Sequence, residues 1–179
     1  VVEANKGKDP VVFQGLDVAG EHGITYSFPN LTIDHAMRNP NVPPGFWRGV
    51  NVNQNAIFIE TFMDEMAEAT GMDAVEFRRK HMEKYPRAVA VLNAVADGIG
   101  WNKPAAPGVY RGVAQMRSFG SYVAAACELS VTNGNEVKIH RIVAATDPGY
   151  VVNPAQVARQ VSGSFVYGLS ALFEEEITI

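Results

Sequence analysis

The sequence predicts an α+β domain in which helices pack on a mostly antiparallel or mixed sheet. Apolar residues recur at helical spacings over 52–99, alternate with a period of two over 109–147, and return to helical spacing over 153–175. Helical and strand patterns therefore occupy separate blocks of the chain. Segregated blocks are typical of a layered α+β domain rather than of a doubly wound parallel sheet. We interpret residues 1–179 as a single partial domain.

The helical block 52–99 divides into three helices at recognisable end signals. Gly71 predicts that the first helix stops just before it, because glycine favours the conformation that follows a helix end. Asp73 can accept hydrogen bonds from the free amides of the next first turn, so it predicts an N-cap. Pro86 suits the first turn of the third helix, and Gly100 marks its end.

A hairpin is predicted in the second half of the chain. Two alternating runs, 121–132 and 136–147, are joined by Asn133, Gly134 and Asn135. Asn-Gly between alternating runs is the strongest short hairpin signal, because both residues tolerate the positive φ angles of the tightest turns. The runs 121–132 and 136–147 are therefore predicted to be neighbouring antiparallel strands.

The remaining elements are strands within 11–37, a strand over 109–119 and a late helix over 153–175 that starts at an Asn-Pro dipeptide. The late helix contains Gly163 and Gly168, and each costs about 1 kcal/mol relative to alanine in a helix interior. We therefore expect something to pack closely against this helix at the two glycines.

Composition excludes several classes of function. The net charge is −4, from 15 Lys+Arg and 19 Asp+Glu, and no basic block exists, which argues against a nucleic-acid surface. No apolar run approaches the length of a membrane span. Cys127 is the one cysteine, so a disulfide within the chain and a cysteine-rich metal site are excluded. The four histidines are scattered and do not indicate a zinc site.

The first candidate site residue is Arg48, in the loop-like stretch 43–55. It follows Phe46 and Trp47 and precedes a glycine. Because arginine keeps its proton, it is no general base, but its planar fork suits an anionic group or a developing oxyanion, and neighbouring aromatics can fix its plane. In the ordinary alternative, Arg48 caps nearby carbonyls or pairs with Glu60.

The second candidate is Gln160, which we place on the inner face of the glycine-bearing late helix. A carboxamide donates and accepts hydrogen bonds at once, which suits an amide-rich heterocycle. The alternative interpretation is a surface glutamine. The acidic run 174–176 offers paired carboxylates, but such runs are usually solvated helix ends.

Three stretches together resemble the molybdenum hydroxylases, the superfamily of xanthine dehydrogenase and aldehyde oxidoreductase. Residues 45–82 resemble the family's arginine-glycine loop and following helices, and residues 139–179 resemble its strand, Asn-Pro turn and glutamine-containing helix. Residues 115–131 resemble a core strand of the isoquinoline 1-oxidoreductase-like large subunits, the most similar subfamily. The occurrence of these stretches in the family's order makes the resemblance specific.

The resemblance implies hydroxylation of an N-heterocycle, or oxidation of an aldehyde, with water as the oxygen source. It implies a molybdopterin cofactor, whose dithiolene holds the metal in place of protein ligands, and electron transfer to an iron–sulfur small subunit. By the same resemblance Arg48 orients the substrate or stabilises charge on it. Phe46 and Trp47 line the substrate channel, Gln160 hydrogen-bonds the cofactor, and Gly163 permits close approach of the backbone to the cofactor.

Two parts of the family pattern are missing from these residues: the glutamate of a Gly-Glu-Pro-like motif and an upstream glycine-phenylalanine loop. The chain starts on Val1 and ends on Ile179 within a strand-like alternation, so we expect a piece of a longer large subunit. We expect the piece alone to bind no cofactor and to be inactive. Relatives of this kind are often exported, which favours the bacterial periplasm. The alternatives are a non-catalytic binding or assembly module of the same fold, and a domain that self-associates through bared apolar surface.

Overall fold

The computed structural model describes residues 16, 23–34, 36, 38, 41–43, 45, 47–176 and 178. The chain divides into two compact units, Val1–Asp147 and Pro148–Ile179. Apart from Leu16, the strand predicted over 11–18 lies outside the described residues, as does Phe46. The single-domain interpretation of the chain stays a prediction.

Three helices follow one another in the first unit: α1 Val52–Ala69, α2 Ala74–His81 and α3 Pro86–Ile99. Their ends match the local signals in the sequence. Gly71 has a φ of +66°, the left-handed conformation that follows a helix end. The Asp73 carboxylate accepts hydrogen bonds from Val75 N and Glu76 N, as an N-cap does. Gly100 ends α3 in the left-handed conformation, with a φ of +76°.

A three-stranded antiparallel sheet follows, with strands β1 Tyr110–Ser118, β2 Ser121–Thr132 and β3 Glu136–Asp147 in that spatial order. Asn133 and Gly134 both have positive φ angles, +51° and +83°, as the tightest hairpin turn requires. The α+β class with an antiparallel sheet is confirmed.

The core of the first unit lies between α3 and one face of the sheet. Leu92 and Val95 of α3 are fully buried, as are Ala124 and Ala126 of β2 to within 1%. The two alanines are small, and so is Gly98, where an added Cβ would lie only 2.8 Å from Val143 Cγ1. Small residues on both surfaces therefore allow the helix to approach the sheet closely.

Residues 24–34 form no strand, so the strand prediction was wrong for this described part of 11–37. Ile24, Thr25 and Tyr26 are all buried, whereas a half-buried strand would bury alternate residues. The segment is held by single bonds, such as Ser27 N to His81 O at 2.7 Å, rather than by a ladder. The sequence pattern alone does not predict this conformation, because residues 24–26 are buried by contacts with segments that are distant in sequence.

The second unit contains α4, Pro154–Phe173. Asn153 caps this helix, since its side chain accepts a hydrogen bond from Gln156 N at 3.2 Å, and Pro154 occupies the first turn. No residue of α4 is buried. A Cβ added at Gly163 or Gly168 would meet no described atom within 4 Å, so the predicted close packing partner is absent from the described chain.

Among the helices of the described residues, none combines the length and apolarity needed to cross a membrane.

Candidate functional site: the arginine turn and its support

Arg48 lies in a turn that leads directly into α1. Val50 N donates to Trp47 O at 2.9 Å, and Val52 N donates to Gly49 O at 3.0 Å. The first bond closes the turn around Arg48, and the second joins the turn to the first residue of the helix. Arg48 is exposed, and Trp47 remains 46% exposed. Arg48 thus lies in an exposed turn that is hydrogen-bonded to the start of α1.

Two residues after Arg48 limit the shape of the turn. Val50 has a φ of +51°, which is a strained conformation for a β-branched residue. A Cβ added at Gly49 would lie 2.1 Å from Asn53 Oδ1, so any larger residue at 49 requires the Asn53 side chain to move. Backbone strain of this kind persists only where surrounding contacts enforce it, and it concentrates at functional loops.

The helix behind the turn is anchored through Glu60, whose side chain is buried. One carboxylate oxygen accepts from Tyr26 Oη at 2.6 Å and from Gln115 Nε2 at 3.2 Å. The other accepts from Arg78 Nε at 2.9 Å and from Gln115 N at 3.0 Å. Gln115 in turn accepts from Thr25 Oγ1 at 2.8 Å. This buried network joins residues 25–26, α1, α2 and β1.

Arg78 is fully buried and is the cation of this network. Besides Glu60, its guanidinium donates to Asp64 Oδ1 at 2.6 Å, to Glu60 O at 2.9 Å and to Ala74 O at 3.2 Å. A buried ion pair requires this degree of hydrogen bonding, because removing both charges from water is costly. The pair therefore locks α1 against α2.

Burial and neighbouring charges shift the pKa values of three ionisable groups in this network. Burial raises the pKa of Glu60, although the positive charge of Arg78 opposes the rise. Burial and the negative charge of Glu60 raise the pKa of Tyr26 well above its ordinary value. Burial lowers the pKa of Arg78, but the charges of Glu60 and Tyr26 outweigh burial and raise it overall. Perturbed groups often mark active sites, but every oxygen of this carboxylate is already bonded to protein, so Glu60 is not a general base.

The network corrects one alternative from the sequence. The ion-pair partner of buried Glu60 is Arg78, whereas Arg48 is exposed in its turn. The burial of Arg78 was not predicted from the sequence. A signal existed: Glu60 shares a face of α1 with buried Met63 and Ala67, at spacings of three and seven residues.

Gln160 and Gly163 lie on α4 in the second unit. Both are exposed, and their spacing of three residues places them on one face of the helix. An exposed carboxamide beside a position with no side chain offers a donor, an acceptor and open backbone. These groups fit a flat heterocycle with paired donors and acceptors. The predicted role in the cofactor site stays a prediction.

The structure thus presents Trp47 and Arg48 on one unit and Gln160 and Gly163 on the other, while Phe46 lies outside the described residues. The resemblance implies that these residues serve one catalytic site, and this stays a prediction. Over the described parts of the chain, no group of three or more His, Cys, Asp or Glu side chains is placed to hold a metal ion.

Two family models match, and both are described as molybdopterin cofactor-binding domains. One covers residues 13–82 and the other residues 53–179, more than half of the chain. The two matches overlap on α1 and α2, the helices that the Glu60–Arg78 pair holds together.

Two curated relatives are similar over most of this chain. The beta subunit of isoquinoline 1-oxidoreductase from Brevundimonas diminuta is 28% identical over 160 residues, covering 87% of this chain and 20% of that protein. One subunit of nicotinate dehydrogenase from Pseudomonas putida is 29% identical over 171 residues, covering 86% of this chain and 14% of that protein. The chain therefore spans a fifth or less of these relatives. No solved structure matches it significantly.

Proposed function

Because the chain belongs to the molybdopterin cofactor-binding domain family, we propose that it helps to form the catalytic cleft of a molybdenum-dependent oxidoreductase. The reaction is hydroxylation of an N-heterocycle, or oxidation of an aldehyde, with water as the oxygen source. The observation that carries the proposal is the position of the exposed residue Arg48 in a strained turn that is hydrogen-bonded into α1.

The anchoring of the turn supports a catalytic role for Arg48. A cation that stabilises developing negative charge acts best when it is held in place before the reaction begins. The turn is bonded to α1, and α1 is bonded to α2 and β1 through buried Glu60. Arg48 then orients the substrate or stabilises charge on it, and Trp47, with Phe46 beside it in sequence, lines the approach.

The cofactor contacts belong to α4 in this proposal. When bound, the molybdenum cofactor supplies the centre that oxidises the substrate and introduces an oxygen from water. Gln160 donates to and accepts from the heterocyclic part of the cofactor. Gly163 lets that part lie close to the helix backbone. An iron–sulfur partner subunit and the rest of the large subunit complete the assembly.

An N-heterocycle is the favoured substrate class. Both curated relatives carry the name of an N-heterocycle, isoquinoline or nicotinate, in the name of the enzyme. Charge that develops on a heterocyclic ring during attack on its carbon is also the kind of charge that a planar guanidinium stabilises. A competition assay with one N-heterocycle and one aldehyde, ranked by kcat/KM, distinguishes the two classes.

The decisive experiment substitutes Arg48 in the longest subunit that carries this sequence, assembled with its partner. Arg48→Ala lowers kcat/KM for the preferred substrate by about 100-fold or more, a typical loss for a group that stabilises transition-state charge. Arg48→Lys recovers only part of that loss, because lysine lacks the planar fork. Lys138→Ala, which removes an exposed cation from β3, is the matched control. Undiminished turnover in Arg48→Ala would overturn the proposed role.

Cofactor binding has its own test. Gln160→Ala lowers the molybdenum and pterin content of the purified subunit, whereas Gln156→Ala, an exposed glutamine one turn earlier on α4, leaves it unchanged. Equal losses in the two variants would mean that Gln160 makes no specific contact. For the isolated 179-residue chain we expect no bound molybdenum and no dye-linked oxidation. Activity of that chain alone would overturn this expectation.

The competing function is a non-catalytic binding or assembly module of the same fold. In that case Arg48→Ala changes complex formation and leaves turnover per assembled complex intact. Measuring assembly by size-exclusion chromatography beside kcat separates the two functions.

A further inference from the structure

The open side of Gly49, the residue after Arg48, is filled by a residue of α1. A Cβ added at Gly49 would lie 2.1 Å from Oδ1, 2.7 Å from Cγ and 3.0 Å from Nδ2 of Asn53. The carboxamide thus occupies the space that a side chain at position 49 would need. Asn53 is the second residue of α1 and is half-buried. Its side chain therefore packs on the backbone of the Arg48 turn instead of extending into solvent.

The backbone of Gly49 does not itself require a glycine. Gly49 is not among the described glycines with a positive φ, the conformation that most residues with a side chain adopt only under strain. Alanine can therefore adopt the backbone conformation of Gly49. The obstacle to a side chain at this position is the carboxamide of Asn53. Gly71 differs in both respects, since its φ is +66° and an added Cβ would meet nothing within 4 Å.

The contact between an added side chain and Asn53 is not relieved by a small movement of the carboxamide. Rotation about the bond between Cβ and Cγ of Asn53 moves Oδ1 and Nδ2, but it leaves Cγ in place, 2.7 Å from the added Cβ. Only a change of χ1 moves Cγ, and a helix limits the χ1 rotamers that a side chain can adopt. A side chain at position 49 therefore displaces either Asn53 into another rotamer or the turn itself.

Asn53 packs on the residue of the turn that has the greatest intrinsic freedom. Glycine loses more conformational freedom on folding than any other residue. Gly49 separates Arg48 from Val50, whose φ of +51° is strained, and Gly49 O accepts the bond from Val52 N that joins the turn to α1. A group that stabilises charge in a transition state must be held within about 0.5 Å of its productive position. Packing on the open side of Gly49 restricts the turn in this way.

We propose that Asn53 is a positioning residue for Arg48. Its carboxamide packs on the Gly49 backbone and excludes conformations of the turn in which Arg48 leaves its productive position. The effect on catalysis rests on the proposed function, because it requires Arg48 to act on the substrate. The packing does not rest on that function, since it is a contact between two residues of the described chain. Gly49 and Asn53 are a steric match, because the lack of a side chain at one position makes room for a branched side chain at the other.

The steric match is tested by a double-mutant cycle on the 179-residue chain. Gly49→Ala lowers the urea midpoint of the unaltered chain, because the added methyl group meets Asn53. In the Asn53→Ala background, which lacks Cγ, Oδ1 and Nδ2, the same change leaves the midpoint unchanged or raises it. Gly45→Ala, the matched control, leaves the midpoint unchanged, because a Cβ added at that loop glycine would meet no described atom within 4 Å. Equal shifts in the two backgrounds, including no shift in either, would show that Asn53 does not restrict position 49 and would overturn the proposal.

The effect on catalysis is tested by a second cycle, in the longest subunit that carries this sequence, assembled with its partner. Asn53→Ala lowers kcat/KM by about tenfold, because a small displacement of a catalytic group is costly. Its kcat and KM change in the same directions as in Arg48→Ala. In the Arg48→Ala background, Asn53→Ala lowers kcat/KM by less than about twofold further, since no guanidinium is left to position. Asn53→Leu, which keeps the branched shape of the side chain, retains most of the activity.

The outcomes separate the positioning role of Asn53 from the proposed function. Unchanged kcat/KM in Asn53→Ala, or a loss that is equally large in the Arg48→Ala background, would mean that Asn53 does not act through Arg48. A loss in Asn53→Leu as large as in Asn53→Ala would mean that the carboxamide acts by hydrogen bonding and not by packing. Any of these results overturns the positioning role. Undiminished turnover in Arg48→Ala refutes the proposed function, and the urea midpoints then decide alone whether Asn53 fixes the turn.

Discussion

At the scale of single residues, Val50 shows how the turn of Arg48 is held in shape. Its φ of +51° is costly for a β-branched side chain, yet Val50 is a central residue of the turn that the bond from Val52 N to Gly49 O closes. The turn therefore stores strain next to the candidate catalytic cation.

Replacing Val50 with asparagine, which tolerates the left-handed conformation, raises the free energy of unfolding by about 0.5–1 kcal/mol. Chemical denaturation of the 179-residue chain measures the change. Thr61→Asn is the matched control, because it places the same residue at an exposed helical position with an ordinary φ. If Val50→Asn lowers the free energy of unfolding, the contacts of the valine side chain stabilise the chain by more than its strained φ destabilises it.

Tyr26 is a second residue whose chemistry is set by burial. Its hydroxyl donates to Glu60 at 2.6 Å, and burial raises its pKa well above the ordinary value of 10.0. The unfolded chain releases this proton near pH 10, whereas the folded chain keeps it. The contribution of Tyr26 to stability is therefore fully present below about pH 10 and is lost as the pH rises further.

Tyr26→Phe should be less stable than the unaltered chain at about pH 8, by about 1.5–3 kcal/mol for a lost hydrogen bond to a charged group. The difference then narrows above about pH 10 by at most about 1.4 kcal/mol per pH unit, the limit for a single proton. Urea unfolding at several pH values measures both quantities. A difference that stays constant from about pH 8 to about pH 11 would contradict the raised pKa of Tyr26.

At the scale of elements, the two oxygens of the Asp73 carboxylate accept hydrogen bonds from different parts of the fold. Asp73 Oδ1 caps the helix through Val75 N and Glu76 N, and Oδ2 accepts from Trp101 Nε1 at 2.8 Å. The cap is local, but the second bond ties α2 to the residues just after α3.

Asp73→Ala removes the cap and the bond to Trp101, and it should lower the free energy of unfolding by about 2 kcal/mol in all. Asp73→Asn keeps an oxygen for the cap but turns its amide group towards the Trp101 donor, so it loses about half as much. Thermal unfolding of the two variants measures the difference. Equal losses would mean that the contact with Trp101 contributes nothing.

At the scale of the whole first unit, the pair of Glu60 and Arg78 joins segments that are far apart in sequence. Through it, residues 25–26, α1, α2 and β1 share one buried set of hydrogen bonds. Removing one charge leaves the other buried and unpaired, and this strongly lowers the free energy of unfolding. Replacing the whole pair with apolar residues of similar volume would lower it far less.

Arg78→Met should therefore destabilise the chain by about 3–5 kcal/mol. The neighbouring Arg79→Met, which breaks a partly exposed ion pair with Glu76 and a hydrogen bond to Asn93 Oδ1, should cost less, about 1–2 kcal/mol. Denaturant midpoints compare the two variants. If both arginines prove equally dispensable, the network does not hold the unit together.

The local parts of this protein are determined by short stretches of its sequence. The cap at Asp73, the left-handed end at Gly100 and the turn at Asn133-Gly134 all follow from hydrogen bonds and φ preferences within about four residues. The start of α1 shortly after Arg48 was likewise predictable, because Gly49 and the change of period mark that boundary.

Only the tertiary structure decided which charged residues are buried and which segments with a strand-like sequence pattern form no strand. Arg78 is fully buried because Glu60, eighteen residues earlier, reaches it from another helix, and nothing within α2 alone indicates that. Residues 24–34 form no strand, and the buried hydroxyls of Thr25 and Tyr26 bond to side chains of β1 and α1. Burial is a sum over distant neighbours, so it is a property of the packed chain and not of any single segment.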